Sequence, residues 1–139
     1  MQLPSMPGGL RRDYGLQEMS FRCLIVDDNP GFLDAARKLL EHEGASVVGV
    51  AGTGEEALLR LTELQPDVTL VDIDLGADSG FSVARKLAGG GSPDRKLILI
   101  STHPEDEFAD LIEASPALGF IPKSDLSVAA IEKLLAAAG

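Results

Sequence analysis

Four short apolar runs in this chain each end in a side chain suited to metal or phosphoryl chemistry. In chain order the runs end in Asp27 with Asp28, Asp72, Ser101 and Lys123. If the runs are parallel strands of one sheet, their carboxyl ends share an edge, where open α/β sheets place their binding sites. The sequence therefore predicts a cluster of three carboxylates, a hydroxyl and an ammonium at one edge of a sheet.

This cluster suits a magnesium ion and a phosphoryl group. Three carboxylates at neighbouring strand ends would raise one another's pKa unless a cation lay among them. Mg²⁺ prefers oxygen ligands, and proteins hold it with one or two carboxylates together with phosphate oxygens. The charges of Asp27, Asp28, Asp72, Lys123 and one Mg²⁺ sum to zero. We therefore predict Mg²⁺ as the cofactor and a phosphoryl group as the species that the site receives.

The rest of the pattern predicts an α/β fold from about residue 20 to the end. Strand-like runs alternate with helix-like segments five times, and the strands are apolar throughout, as in parallel sheets covered on both faces. Right-handed crossovers favour a doubly wound five-stranded parallel sheet. The second strand lacks a reactive residue at its end, so we place it at an edge, in the order 2-1-3-4-5. The helices are expected over 30–43, after a Thr53–Glu56 capping box, from Phe81 to Gly89, from near Pro104, and from Asp125 or Ser127.

Composition narrows the possible functions. The 139 residues suffice for one domain, and 12 basic against 22 acidic residues give a net charge of −10, which argues against direct nucleic-acid or membrane binding. No apolar stretch approaches the roughly 18 residues of a membrane span, so a cytoplasmic location is expected. Cys23, inside an apolar run, is interpreted as a buried structural thiol.

Residues 1–19 differ from the remainder of the chain. They contain Pro4, Pro7, Gly8 and Gly9 and lack the apolar core of a signal peptide. We expect a flexible N-terminal tail over 1–19 and a single domain over 20–139. Met19 directly precedes the first strand, so either Met1 or Met19 could be the natural start.

From about residue 21 to 137, the chain resembles the receiver domains of two-component response regulators, which have a flavodoxin-like fold. The match consists of the acidic pair, Asp72 as phosphoacceptor, Ser101 and Lys123, in the family's order. Asp72 follows Asp28 by 44 residues, Ser101 follows Asp72 by 29, and Lys123 follows Ser101 by 22. Phe120 occupies the position of the family's aromatic switch residue, and Gly80 that of a common glycine. Two positions depart from the pattern, since Gly76 stands where a proline is common and Pro122 precedes the lysine instead of following it.

The resemblance implies a role for each matching residue. Asp72 would accept a phosphoryl group from a sensor histidine kinase or a phosphotransfer protein. Mg²⁺ would be held by Asp28, Asp72 and the backbone carbonyl of Asp74, with Asp27 acting through a water. Ser101 and the backbone N–H of Thr102 would bind the phosphoryl oxygens, with Lys123 neutralising their charge and Phe120 turning inward. We also hypothesise that Asp74 and His103, two residues beyond acceptor and hydroxyl, set the lifetime of the acyl phosphate.

The same resemblance bears on output and partners. The fourth helix, fifth strand and fifth helix would form the surface that changes on phosphorylation, binds an unknown downstream protein and could mediate a homodimer. The domain would be regulatory and not an enzyme, beyond catalysing its own phosphoryl transfer and dephosphorylation. Since no output domain follows the last helix in this sequence, we expect a stand-alone receiver or one from which an effector was removed.

Other interpretations remain open. The Asp72-Ile73-Asp74 motif also occurs in haloacid-dehalogenase-type phosphatases, although their acidic pair comes after the nucleophile and here it comes before. A receiver-like interaction module that is never phosphorylated is a second alternative. Taken one at a time, the residues have structural explanations: a helix N-cap for Asp27 or Asp28, a solvated loop for Lys123, a helix cap for Ser101, core packing for Phe120, and a surface position for His42 or His103.

Overall fold

The sheet holds five parallel strands in the predicted order. The computed structural model describes residues 21–76, 78–89 and 96–138. Within these ranges the spatial order is β2-β1-β3-β4-β5, so the predicted doubly wound topology is confirmed. The strands are β1 (Arg22–Val26), β2 (Ser46–Ala51), β3 (Val68–Asp72), β4 (Leu97–Ser101) and β5 (Gly119–Pro122).

Helices cover both faces of this sheet, because its strands are apolar on both sides. One buried cluster lies under α2 (Gly54–Leu64) and α3 (Gly80–Gly89), and α4 (Ala109–Ala114) adds Ile112 to it. The other cluster lies under α1 (Pro30–His42) and α5 (Val128–Ala138). Cys23 is fully buried in this second cluster, and burial raises the pKa of its thiol to about 12, as expected for a structural residue.

Helix α1 begins at a cap that the sequence interpretation did not identify. The side chain of Asn29 accepts a hydrogen bond from the Phe32 N–H, and Pro30 takes the first helical position, where its missing N–H costs nothing. Neither Asp27 nor Asp28 is the cap, so both carboxylates remain available to the site. The helix ends at His42, one residue earlier than predicted.

The Thr53–Glu56 pattern does cap α2, with one difference from the predicted capping box. Thr53 Oγ1 accepts from the Glu56 N–H at 3.1 Å. The Glu56 carboxylate accepts from the Gly52 N–H at 2.8 Å, one residue before the cap. Both bonds satisfy N–H groups at this end of the helix and so fix where β2 turns into α2.

The fourth helix begins later than the sequence suggested, and the fifth begins directly after one of its two predicted starts. A 3₁₀ turn over Glu105–Phe108 follows Pro104, and α4 itself begins at Ala109. A second 3₁₀ turn covers Lys123–Asp125, and α5 then begins at Val128, where Ser127 Oγ accepts from the Ala130 N–H. Ser127 was therefore the correct one of the two predicted starts.

The predicted N-terminal tail over 1–19 lies outside the described residues. Within the described ranges, each helix is too short or too polar to cross a bilayer.

Candidate functional site

The three predicted carboxylates meet at the carboxyl edge of the sheet. Asp27 and Asp28 follow β1, and Asp72 ends β3, its direct neighbour. One carboxylate oxygen from each residue lies within 4.8 Å of the others. Asp27 is fully buried, Asp72 is 5% exposed and Asp28 is exposed to solvent. The cluster is therefore anchored in the protein on one side and open to solvent on the other.

Lys123 brings a positive charge into this cluster from the far side of the sheet. Residues Ser101 of β4 and Pro122 of β5 are paired in register, so Lys123 emerges at the same edge as the carboxylates. Its ammonium lies 2.6 Å from Asp27 Oδ2 and 3.7 Å from Asp72 Oδ2, with only 13% of the side chain exposed. The predicted convergence of the ammonium and the carboxylates is present.

The oxygens of Asp27 already have partners in the protein. Oδ1 accepts a hydrogen bond from the Asn29 N–H at 2.8 Å. Oδ2 forms the ion pair with Lys123, at a short distance but without hydrogen-bond alignment. Both Asp27 oxygens thus contact protein groups, whereas the Asp28 carboxylate is exposed to solvent.

Burial makes Asp72 unusually basic for an aspartate. Its pKa rises from 3.8 to about 6, first because burial disfavours the charged form and second because Asp27 carries a like charge. The Lys123 ammonium and a hydrogen bond from the backbone of Asp74 lower the pKa of Asp72 in part, while Asp28 raises it further. Burial and the two neighbouring aspartates therefore outweigh the lowering effect of Lys123 and the Asp74 backbone on this pKa.

These residues fit a divalent cation. Three carboxylates and one ammonium leave a formal charge of −2, which one Mg²⁺ would neutralise. A hard cation with oxygen ligands is the species that such a site favours.

Ser101 lies at the end of β4, where the sequence placed it. Its side chain is buried, and Oγ accepts a hydrogen bond from the His103 N–H at 3.0 Å. Thr102 between them is exposed. The His103 ring points away along the surface, 3.7 Å from a carboxylate oxygen of Glu107 and edge-on to Phe108 at 6.0 Å between centroids.

Two glycines shape the loop after the acceptor. Gly80 packs so closely on the strand end that a Cβ there would collide with the Asp72 carbonyl oxygen and the Ile73 Cα. Gly76 has a φ of +62°, a value that proline cannot adopt, which explains its departure from the expected proline. A Cβ at Gly76 would lie 3.0 Å from Asp28 Oδ2, so the loop backbone approaches this carboxylate directly.

Asp74 lies at the start of the same loop. Residues Asp74–Leu75 and Asp78–Ser79 form a two-residue antiparallel ladder that the sequence did not reveal. The Asp74 side chain is exposed, two residues beyond the acceptor.

Two aromatic residues lie near these elements. Phe120, expected to turn inward on phosphorylation, is buried, only 8% exposed, in the core cluster under α2 and α3. The ring centroid of Phe32, a half-buried residue of α1, lies 4.2 Å from the Lys123 ammonium. The apolar periodicity of α1 carried no signal for this contact.

Comparison with known proteins is consistent with this geometry. Residues 23–135 match the family model described as response regulator receiver domain. The chain is 35% identical over 103 residues to the response regulator GacA of Pseudomonas viridiflava, covering 73% of this chain and 48% of that protein. It thus spans about half the length of the curated relatives that it matches.

Solved structures with the same architecture include two receivers. The signal receiver domain of the putative response regulator NarL from Mycobacterium tuberculosis superposes with a TM-score of 0.72 at 28% identity, covering 86% of this chain and 95% of that one. A LuxR-family response regulator from Aurantimonas gives a TM-score of 0.74 at 25% identity, covering 86% and 84%. The family model and the solved structures therefore agree on the fold.

Proposed function

The chain belongs to the response regulator receiver domain family, and we propose on this basis that Asp72 is its phosphoacceptor. The observation that carries the proposal is the position of Asp72 between Asp28, which is available to a cation, and the Lys123 ammonium at 3.7 Å. A phosphoryl group arriving at Asp72 would meet positive charge on both sides. Neutralising the negative charge on the oxygens of the transferred phosphoryl group is the main task in catalysing phosphoryl transfer.

In the proposed reaction a carboxylate oxygen of Asp72 attacks the phosphorus of a phosphohistidine. The O–P bond forms as the P–N bond breaks, leaving an acyl phosphate on Asp72 and returning the electron pair to the imidazole nitrogen. Asp28, Asp72 and the backbone carbonyl of Asp74 would hold Mg²⁺, with Asp27 contributing through a water. When bound, Mg²⁺ would supply positive charge at the phosphoryl oxygens.

Ser101 and the Thr102 N–H are proposed to bind the phosphoryl group after transfer. The Ser101 hydroxyl at present accepts from the His103 N–H, and a hydroxyl can donate and accept at once. Ser101 can therefore turn its proton toward the phosphoryl group and keep the bond to His103. Any shift of Ser101 would then be passed along the backbone toward α4.

Because Phe120 is already buried, its proposed switch role is a rearrangement inside the core and not a movement inward from solvent.

The surface of α4, β5 and α5 is the proposed output face, where a downstream protein or a second copy would bind. A binding equilibrium at this face would shift with phosphorylation only through contacts that differ between the two states. The net charge of −10 supports a protein partner and not direct DNA binding.

The phosphoryl donor is proposed to be a sensor histidine kinase or a phosphotransfer protein, in the cytoplasm. The domain itself would act as a regulator and turn over no substrate other than its own phosphoryl group. Asp74 and His103 are proposed to set how long that group survives, because each lies two residues beyond a site residue, Asp72 and Ser101 respectively. Dephosphorylation rates unchanged in both Asp74→Asn and His103→Ala would count against this tuning role.

Incubation with acetyl phosphate and Mg²⁺, followed by intact-mass measurement, tests the proposed function. One added phosphate is expected for the wild type, with no addition to Asp72→Asn and none when EDTA removes the metal. Wild-type protein that gains no mass under any donor would support an unphosphorylated interaction module. Steady release of phosphate from simple phosphate esters would instead support a phosphatase.

A further inference from the structure

The Phe32 ring covers the ammonium that the proposed reaction uses. Lys123 Nζ has Asp27 at 2.6 Å, Asp72 at 3.7 Å and the centroid of the Phe32 ring at 4.2 Å. A cation this close to an aromatic face is attracted by the negative charge of the ring face. The two carboxylates and the ring together leave only 13% of the lysine side chain exposed.

The chain segment that holds Asp27 also fixes the ring. Asp27 Oδ1 accepts from the Asn29 N–H, and Asn29 Oδ1 accepts from the Phe32 N–H. Pro30 restricts the backbone between them. The carboxylate that pairs with the ammonium and the ring that covers it are thus positioned by one short hydrogen-bonded segment.

This arrangement matters because a lysine ammonium is a strongly hydrated charge on a flexible four-carbon stem. Left uncovered, it would have other rotamers that point toward water. We propose that Phe32 is a positioning residue for phosphoryl transfer, which holds the Lys123 ammonium over Asp27 and beside Asp72. It acts through Lys123 alone and contacts neither the acceptor nor the transferred group. The inference rests on the proposed role of Asp72 as phosphoacceptor.

Rate constants for phosphorylation by acetyl phosphate test this role, with three variants. Phe32→Leu keeps apolar volume but removes the aromatic face, so the rate constant should fall roughly two- to fivefold. Phe32→Tyr restores the face and should restore the rate. Leu33→Ala is the matched control, because Leu33 is also half-buried on α1 against the same core cluster, and a leucine has no aromatic face to offer the ammonium. Leu33→Ala should lower stability and leave the rate constant unchanged.

A second measurement needs no phosphoryl donor. The methylene protons next to the Lys123 ammonium lie near the ring face, so their NMR resonances should be shifted upfield in the wild type and in Phe32→Tyr. Phe32→Leu should return them to the position typical of a solvated lysine.

The outcomes separate the inference from the proposed function. If the wild type is phosphorylated and Phe32→Leu matches it in rate, the positioning role is overturned, and an absent upfield shift would overturn the contact itself. If Phe32→Tyr is as slow as Phe32→Leu, the aromatic face is not the cause and the inference also fails. A wild type that accepts no phosphate on Asp72 overturns the proposed function and this inference together.

Discussion

Lys123 Nζ lies 2.6 Å from Asp27 Oδ2, closer than its 3.7 Å to Asp72 Oδ2. The buried Asp27 thus holds the ammonium beside Asp72, and Asp72 is not its closest partner. A carboxylate that was tightly paired with a lysine would be a weaker nucleophile. If Asp72 accepts the phosphoryl group, as proposed, this geometry leaves its carboxylate free to attack and keeps positive charge near the arriving group.

Asp27→Asn should slow phosphorylation by acetyl phosphate on the order of tenfold or more, because the ammonium loses its nearest partner and is misplaced. The loss of stability should be smaller than the roughly 3–5 kcal/mol seen when a buried pair is broken, since Lys123 keeps Asp72 as a partner. Asp34→Asn is the control: its ion pair with Lys38 is on the surface, with side chains 63% and 76% exposed. That change should leave the rate unaltered; equal rates in all three proteins would contradict the assigned role of Asp27.

Asp72→Asn should stabilise the metal-free protein at pH 8 by about 1–3 kcal/mol, measured by urea unfolding. The pKa of Asp72 is raised to about 6, so the folded state favours the protonated carboxyl and ionisation destabilises it. In the wild type, the stability gained from the protonated Asp72 carboxyl is complete below pH 3.8 and is lost as the pH rises through about 6. The free energy of unfolding of Asp72→Asn should therefore rise above that of the wild type between pH 3.8 and about 6, and the difference should stay constant at higher pH. An advantage independent of pH would show that the charge on Asp72 is not its source.

Mg²⁺ should raise the thermal midpoint of the wild type in a concentration-dependent way, because a ligand that binds only the folded state stabilises it. Asp28→Asn and Asp72→Asn should lose most of this gain, since each removes a proposed direct ligand. Sodium chloride at matched ionic strength controls for general screening. If either variant responds to Mg²⁺ as the wild type does, the proposed ligand set is wrong.

Gly76→Ala should weaken Mg²⁺ binding and lower stability by about 1–2 kcal/mol, measured by titration and urea unfolding. An L-residue at φ +62° is strained, and the new Cβ would press on Asp28 Oδ2. Gly89→Ala is the matched control, because among the described residues no atom outside its chain neighbours and its own helix backbone lies within 4 Å of a Cβ built there. It should be neutral or stabilising by up to about 1 kcal/mol. Normal Mg²⁺ affinity in Gly76→Ala would show that the loop does not shape the site.

The fold could be predicted because the sequence patterns and the tertiary structure agree. Apolar strands such as Leu97–Ile100 have no polar face, which requires helices on both sides and parallel neighbours. The lack of a reactive residue after β2 correctly placed this strand at the edge. The predicted start of α4 near Pro104 was too early. Glu105, Asp106 and Glu107 supply no apolar periodicity, and a 3₁₀ turn forms there instead of the helix.

The site was predictable in its membership but not in its pairing. Strand order brings Asp27, Asp72 and Lys123 to one edge, whichever side chains then touch. That Lys123 contacts Asp27 more closely than Asp72 depends on side-chain geometry, which spacing does not encode. The contact between Phe32 and Lys123 was not predicted for the same reason, because an aromatic residue on the inward face of a helix is expected to pack in the core.

The most direct test of the account identifies which residue carries the phosphate. After reaction with acetyl phosphate and Mg²⁺, borohydride reduction converts a phosphorylated aspartate to homoserine, which peptide sequencing by mass spectrometry can locate. The account predicts homoserine at position 72 and at none of positions 27, 28 and 74. Homoserine at one of those three positions, with Asp72 unmodified, would contradict it.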